Sequence, residues 1–147
     1  MQSVSAELAR IVESAEALLR RVTEEESGRP VLSGGWSRKQ VIGHLIDSAS
    51  NNHQRFVRAA LADSLEFPNY DTPGCVRVQA VERAAWPVLV SLWASYNRYL
   101  AHVTANLPAE KLETICRIGA RDPVTLRELT EDYVRHLVHH LGQIGCA

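Results

Sequence analysis

The chain has 147 residues, enough for one domain with a real core; residues 1–147 read as a single domain. Its formal net charge of −1 gives no basic footprint for nucleic acid and no acidic tail, and its 46% hydrophobic content is ordinary for a globular protein. No apolar run reaches membrane-spanning length and the N-terminus lacks a signal-peptide pattern, so the expectation is a cytoplasmic protein with no membrane partner. Cys75, Cys116 and Cys146 are scattered and form no CxxC, which argues against a disulfide framework or a thiolate zinc site.

Taken in chain order, Val4, Leu8, Ile11, Ala15, Leu18 and Val22 recur at steps of four and three, the seam of a bundle helix. Gly28 and Pro30 stop it, and Glu24, Glu25 and Glu26 fall near its C-terminus, where the dipole disfavours them and the last turn should fray. A second helix starts at Ser37. Gln40 closes a capping box, Trp36 can staple onto Val41, and the helix should reach about Ala62. Its apolar arc is Ile42, Leu45, Ile46, Ala49, Phe56 and Ala60.

Residues 64–76, with Pro68, Pro73 and Gly74, read as a loop. A third helical region follows, with Val81, Ala85, Leu89, Leu92, Tyr96, Tyr99 and Val103 assigned to one side. Pro87 must kink it or open its main helix. Residues 108–123 read as irregular. The fourth helix repeats the start signal of the second, with Thr125 as cap, Glu128 closing the box and Val124 stapling onto Leu129. Its apolar side is Leu126, Leu129, Tyr133, Leu137, Leu141 and Ile144, and Gly145 is a plausible stop. Four amphipathic helices without a strand pattern predict an all-α four-helix bundle. The two middle connections are longer than an up-down bundle needs, so the order of helices around the bundle is open.

The last helix concentrates the chemistry. His136 and His140 are one helical turn apart, about 6 Å along the axis. At 100° per residue they lie about 40° apart, inside the edge of the apolar arc, and His139 falls about 60° away on the outward side. Two rings turned toward a core need partners. A metal ion would serve both, and so would carbonyl or carboxylate acceptors. On the second helix His44 lies at the boundary between the apolar arc and a polar stripe of Ser48, Asn51 and Arg55, and Asn52 intrudes on the apolar side. The stripe is either a solvated face or a ligand with polar neighbours. His53 falls about 180° from His44 and is excluded as a co-ligand. His102 has no partner at helical spacing.

Trp36-Ser37 opening a helix, Gly43-His44-Leu45-Ile46-Asp47-Ser48, then Asn52, Arg55-Phe56, and the late run His136 to Ile144 together resemble the DinB/YfiT-like superfamily, over roughly residues 5–145. The resemblance implies a four-helix bundle with one long crossover connection. It also implies one divalent metal ion on three histidines, which fall on His44, His136 and His140. It further implies a bacterial protein, a symmetric homodimer, and an activity of the metal-dependent thiol S-transferase or hydrolase kind on a small molecule. A low-molecular-weight thiol would be the cosubstrate of the first kind. Mycothiol-dependent isomerases also belong to the superfamily, but their longer members carry a further C-terminal domain and this chain stops at Ala147.

Three neutral imidazoles leave an ion at least one open position, where a bound water or thiol ionises near neutral pH. Imidazole ligands suit Zn, Ni, Mn or Fe alike. Asp47, Asp132 and Gln143 are near enough in sequence to orient the rings. Ser48, Asn52 and Arg55, with Trp36, Tyr70 and Asp71, are candidates for the rim of a substrate site. No carboxylate is evidently placed as a general base. The competing expectation is a non-catalytic metal-binding or stress-related interaction module. Trp86, Trp93, Tyr96 and Tyr99 are more aromatic surface than one small core needs, which also points to a homodimer.

Overall fold

A computed structural model of the protein describes residues 1–31 and 35–147. Four long helices form the bundle: α1 (Gln2–Leu19), α3 (Arg38–Leu61), α5 (Trp86–Ala105) and α6 (Leu126–Gln143). Short helices α2 (Glu24–Gly28) and α4 (Thr72–Val78) lie in the connections, together with strands β1 (Ser64–Phe67), β2 (Ile115–Ile118) and β3 (Val124–Thr125).

Hydrogen bonds between helices fix their directions. Ser5 Oγ donates to the Ala101 carbonyl at 2.6 Å and Arg20 Nη2 reaches Ser91 Oγ at 3.4 Å, so α1 and α5 run antiparallel. Lys39 Nζ donates to the Ala84 carbonyl at 2.7 Å and His53 Nδ1 lies 3.2 Å from Tyr96 Oη, so α3 and α5 run parallel. Two parallel neighbours need a connection that travels the length of the bundle. Residues 62–85 provide it, carrying β1 and α4 on the way. Around the bundle the packing order is α1, α5, α3, α6 and back to α1. Successive helices α1 and α3 are therefore diagonal, as are α5 and α6.

The helix starts follow the sequence signals. Ser37 Oγ accepts from Gln40 N while the Gln40 side chain accepts from Ser37 N, and Thr125 and Glu128 repeat the arrangement at α6. Pro87 sits in the first turn of α5, where its missing N–H costs nothing, and Gly145 ends α6 with φ +75°. The acidic run 24–26 does not fray a helix end. It forms the first turn of α2, capped by Thr23, where the dipole favours it.

Two connections hold strands where loops were expected. β1 pairs in parallel with β2 across residues 64–67 and 115–118, and β2 pairs antiparallel with β3. This small sheet joins the end of α3 to the start of α6. Asp71, placed on the rim from sequence, instead caps α4 by accepting from Gly74 N at 3.0 Å.

The core runs through all four long helices. On α3 and α6 the expected apolar arcs face inward, although Ile46 and Ala60 are only partly covered. Two assignments shift by about a residue. Leu19, not Leu18, is buried at the end of α1. On α5 the core face is Trp86, Leu89, Val90, Trp93, Leu100 and Ala101, while Leu92 and Tyr99 are half exposed. α5 is apolar around most of its circumference, so periodicity alone left its phase ambiguous. Trp86 and Trp93 thus belong to the core and leave less aromatic surface than expected. Asn97 is fully buried on this face. Its Nδ2 donates to the Trp93 carbonyl at 2.9 Å and its Oδ1 accepts from Tyr133 Oη, which ties α5 to α6.

Gly43, next to His44, has a packing reason. A Cβ there would lie 2.7 Å from Val81 Cγ1, so glycine lets the 3-10 turn Val81–Arg83 pack directly on α3. Among the described residues no helix is long and apolar enough to cross a membrane.

Candidate active site

His44 comes from α3, and His136 and His140 come from α6 one turn apart. Their ring nitrogens converge. His44 Nε2 lies 3.2 Å from His136 Nε2, and one ligand atom from each of the three rings falls within 4.8 Å of the others. Ring centroids are 5.1 Å apart for His44–His136, 4.6 Å for His44–His140 and 4.5 Å for His136–His140. Two nitrogens bound at about 2.0–2.1 Å to one tetrahedral ion stand about 3.3 Å apart, so this arrangement fits a shared ion.

The rings are also in the right protonation state. Burial, then the neighbouring His140 and His136, pull His44 from its ordinary 6.5 down to about 3. Burial, then His140, pull His136 to about 4, with Asp132 opposing. Burial lowers His140 as well, against the Gln143 hydrogen bond. All three are neutral imidazoles at pH 7, the form that ligates metal.

Contacts around the cluster differ from ring to ring. His140 Nδ1 lies 2.8 Å from Gln143 Oε1, which makes Nδ1 the donor and leaves Nε2 free to face the other rings. Gln143 Nε2 in turn lies 3.2 Å from His139 Nε2, and His139 is exposed outside the cluster. Trp36 meets the His44 ring edge-on at 5.8 Å. His44 Nδ1 is buried without a partner among the described residues. Asp47 does not reach the rings. Gln79 Nε2 donates to both its carboxylate oxygens, at 2.8 and 3.0 Å, which pins α4 to α3. The exposed Asp132 pairs with Arg135 at 3.3 Å and acts on His136 only through space.

A cavity of about 390 Å³ opens beside His44 and His136. One wall is Ser48, Asn52 and Arg55 of α3, which are buried, whereas Asn51 of the same helix stays half-buried outside the cavity and donates to the Asp47 carbonyl at 3.0 Å. His44, Ser48, Asn52 and Arg55 are 5%, 3%, 8% and 8% exposed. The opposite wall is Leu129, Tyr133 and His136 of α6. Tyr70 lines it too, half-buried, with its hydroxyl pKa raised by burial first and then by Asp47. The remaining wall, with Asn69, Thr72, Ile118, Arg121 and Val124, comes from the two long connections. Asn69, Thr72, Ile118 and Arg121 escaped the sequence reading because their segments read as irregular, and Val124 reads there only as a staple onto Leu129. The turn-forming Pro68-Asn69 was the one local hint.

His53 packs against Tyr96 and Tyr99, and His102 stacks on Tyr99, so neither joins the cluster. The three cysteines are free. Burial pushes the Cys116 thiol up to about 11 and raises Cys146, which makes both poor nucleophiles.

Comparison with known proteins shows the family and the fold. The DinB superfamily profile matches residues 3–144. A Bacillus pumilus protein described as "Putative metal-dependent hydrolase" is 28% identical over 94% of this chain and 79% of its own length. A Geobacillus thermodenitrificans protein with the same description is 26% identical over 90% of this chain and 75% of its own. The structure of YfiT from Bacillus subtilis, described as a probable metal-dependent hydrolase with an unusual four-helix bundle topology, superposes with a TM-score of 0.79 at 21% identity, covering 95% of this chain and 83% of that one. A mycothiol-dependent maleylpyruvate isomerase superposes at 0.78 with 16% identity, and this chain spans 62% of its length. At such identities the two structures speak for the fold alone. The profile covers nearly the whole chain, and the chain belongs to the DinB superfamily.

Proposed function

We propose that the protein is a metal-dependent enzyme, a hydrolase in the first reading, acting on a small molecule bound in the cavity beside the histidine cluster. The observation that carries this is the convergence of three neutral imidazoles, His44 buried and His136 and His140 half-buried, of which His44 and His136 line that cavity. Among the described residues no fourth His, Cys, Asp or Glu joins the cluster, as a closed structural site would require. The hydrolase descriptions of the two sequence relatives support the same reading.

His44 Nε2, His136 Nε2 and the free nitrogen of His140 would hold the ion. A divalent ion on three imidazoles supplies Lewis acidity and lowers the pKa of a water or thiol at its remaining position. Gln143 fixes the His140 ring by accepting from Nδ1. Ser48 and Asn52 present a polar wall to the substrate, and Leu129 and Ile118 exclude water from the other side. Tyr133 Oη is engaged with Asn97 and takes no part in proton transfer.

A second reading, thiol S-transfer with a low-molecular-weight thiol, draws on one feature. The acidic groups lining the cavity are engaged or exposed. Glu128 caps α6, Asp132 pairs with Arg135, and Asp122 lies at the surface. Hydrolysis commonly uses a carboxylate base, whereas a thiol needs only to be ionised.

The experiment is to load untagged protein with Zn, Ni, Mn or Fe in turn. Each form is assayed for hydrolysis of small esters and amides and for conjugation of an electrophile with bacterial thiols. Turnover that requires metal and is lost in His44→Ala supports the proposal. Turnover that survives His44→Ala, or that vanishes only when all three cysteines are replaced, overturns it.

A further inference from the structure

Arg55 lies on the same face of α3 as His44, about 16 Å along the helix axis, and lines the same cavity. It is 8% exposed, and its Nε has no hydrogen-bond partner. Its only polar contact among the described residues is Nη1 to Asn52 Oδ1 at 3.4 Å, and its guanidinium carbon stands 5.3 Å from the centre of the Phe67 ring. No carboxylate pairs with it among the described residues, although seven other ion pairs form.

A buried guanidinium without a counterion is costly, and replacing it by an apolar side chain of similar length commonly leaves a protein as stable or more so. The cavity's carboxylates do not relieve it. Glu128 is held by Thr125 at the start of α6, Asp132 is held by Arg135, and Asp122 is exposed and makes no ion pair with Arg55. Arg121 repels it, and Arg58, whose guanidinium carbon stands 5.9 Å from the centre of the same Phe67 ring, adds a further positive charge nearby. The arrangement lacks a negative charge at the place where Arg55 ends.

We propose that Arg55 is the anion-recognition residue of this cavity, and that it takes the carboxylate of a small substrate whose reacting end lies at the histidine cluster. A planar fork of N–H donors matches a carboxylate and fixes its orientation. Asn52 holds one side of the fork and the Phe67 ring backs its face. Arg55 is the buried guanidinium of a cavity lined by polar Ser48 and Asn52 as well as apolar Ile118 and Leu129, which suits one carboxylate on a small body of mixed polarity. The place of reaction rests on the function proposed above; recognition of the carboxylate does not.

The test separates the two. Metal-free protein is titrated by calorimetry with acetate, butyrate and hexanoate and with their primary amides. Thermal midpoint and metal uptake are recorded in parallel for wild type, Arg55→Met, Arg55→Lys and His44→Ala. At least one carboxylate should bind more tightly than its amide, on the order of tenfold. Arg55→Met should abolish that preference and Arg55→Lys retain part of it. Both Arg55 variants should take up metal like wild type, and unliganded Arg55→Met should melt at or above the wild-type temperature. His44→Ala should lose metal and keep the carboxylate preference. The proposal is overturned if no carboxylate is preferred over its amide, or if the preference survives Arg55→Met. It is also overturned if both Arg55 variants melt well below wild type, since the guanidinium would then be a structural group. Failure of wild type to take up metal would overturn the metal reading and leave the carboxylate result standing.

Discussion

His44 Nε2 and His136 Nε2 face each other across 3.2 Å, though 92 residues separate them in the chain. Two neutral imidazoles at that distance share at most one proton between the facing nitrogens. An ion replaces that proton with a bond to each ring. This pair, completed by His140, underlies the first prediction.

Metal analysis of untagged protein should find about one divalent ion per chain. His44→Ala, His136→Ala and His140→Ala should each lower the content at least tenfold, by the cost of losing one of three ligands. His139→Ala should leave it unchanged, because His139 is exposed and, although its ring meets His140 edge-on at 5.1 Å and its Nε2 reaches Gln143, it is not one of the three rings whose nitrogens converge. Equal loss in His139→Ala and His140→Ala would mean that the ligand face of α6 is misassigned.

The pH dependence of the metal-free protein follows from the same rings. His44 and His136 sit at about 3 and about 4 in the folded state, against 6.5 when unfolded. The unfolded chain therefore binds more protons between those values. Stability is fully present above about 6.5 and falls as the pH drops toward about 4 and about 3. Thermal melts from pH 7.5 to 5 should show a declining midpoint. A variant with all three histidines replaced by Gln should show a flatter profile over the same range. Parallel slopes would assign the acid sensitivity to other groups.

Gly43→Ala should destabilise the fold by about 1–3 kcal/mol, through the clash with Val81, despite the better helix propensity of alanine. Pairing it with Val81→Ala should recover part of the loss, which denaturant titration of the single and double variants would read. A stabilised Gly43→Ala would show that the Val81–Arg83 turn shifts at no cost.

We propose that the protein is a homodimer. The outward side of α5 exposes Val88, Leu92 and Tyr99, and α3 exposes Val57 and Leu61. Light scattering at micromolar concentration should give twice the chain mass, and Leu92→Arg should give the monomer. A monomeric wild type would reject the assignment.

What the sequence determined by itself was local. The capping boxes at Ser37 and Thr125 join residues three apart, and the shared face of His136 and His140 needs only one helical turn. Apolar periodicity phased α3 and α6 because their polar faces are distinct, and it misphased α5 because that helix has almost none. The three-histidine set came from a family resemblance; the angular position of His44 alone left it between a solvated face and a ligand.

Tertiary structure decided whatever joins distant segments. β1 and β2 are four residues each, too short for a pattern, and they exist because the crossover after α3 passes beside the connection into α6. The same two segments close the cavity, so its walls could not be read from either one. Burial turned Ser48, Asn52 and Arg55 from a helix face of open character into a cavity wall, because α6 and the sheet cover it. Periodicity places a residue on a face of its helix. Only the packing of the other elements determines whether that face meets water, core or a cavity.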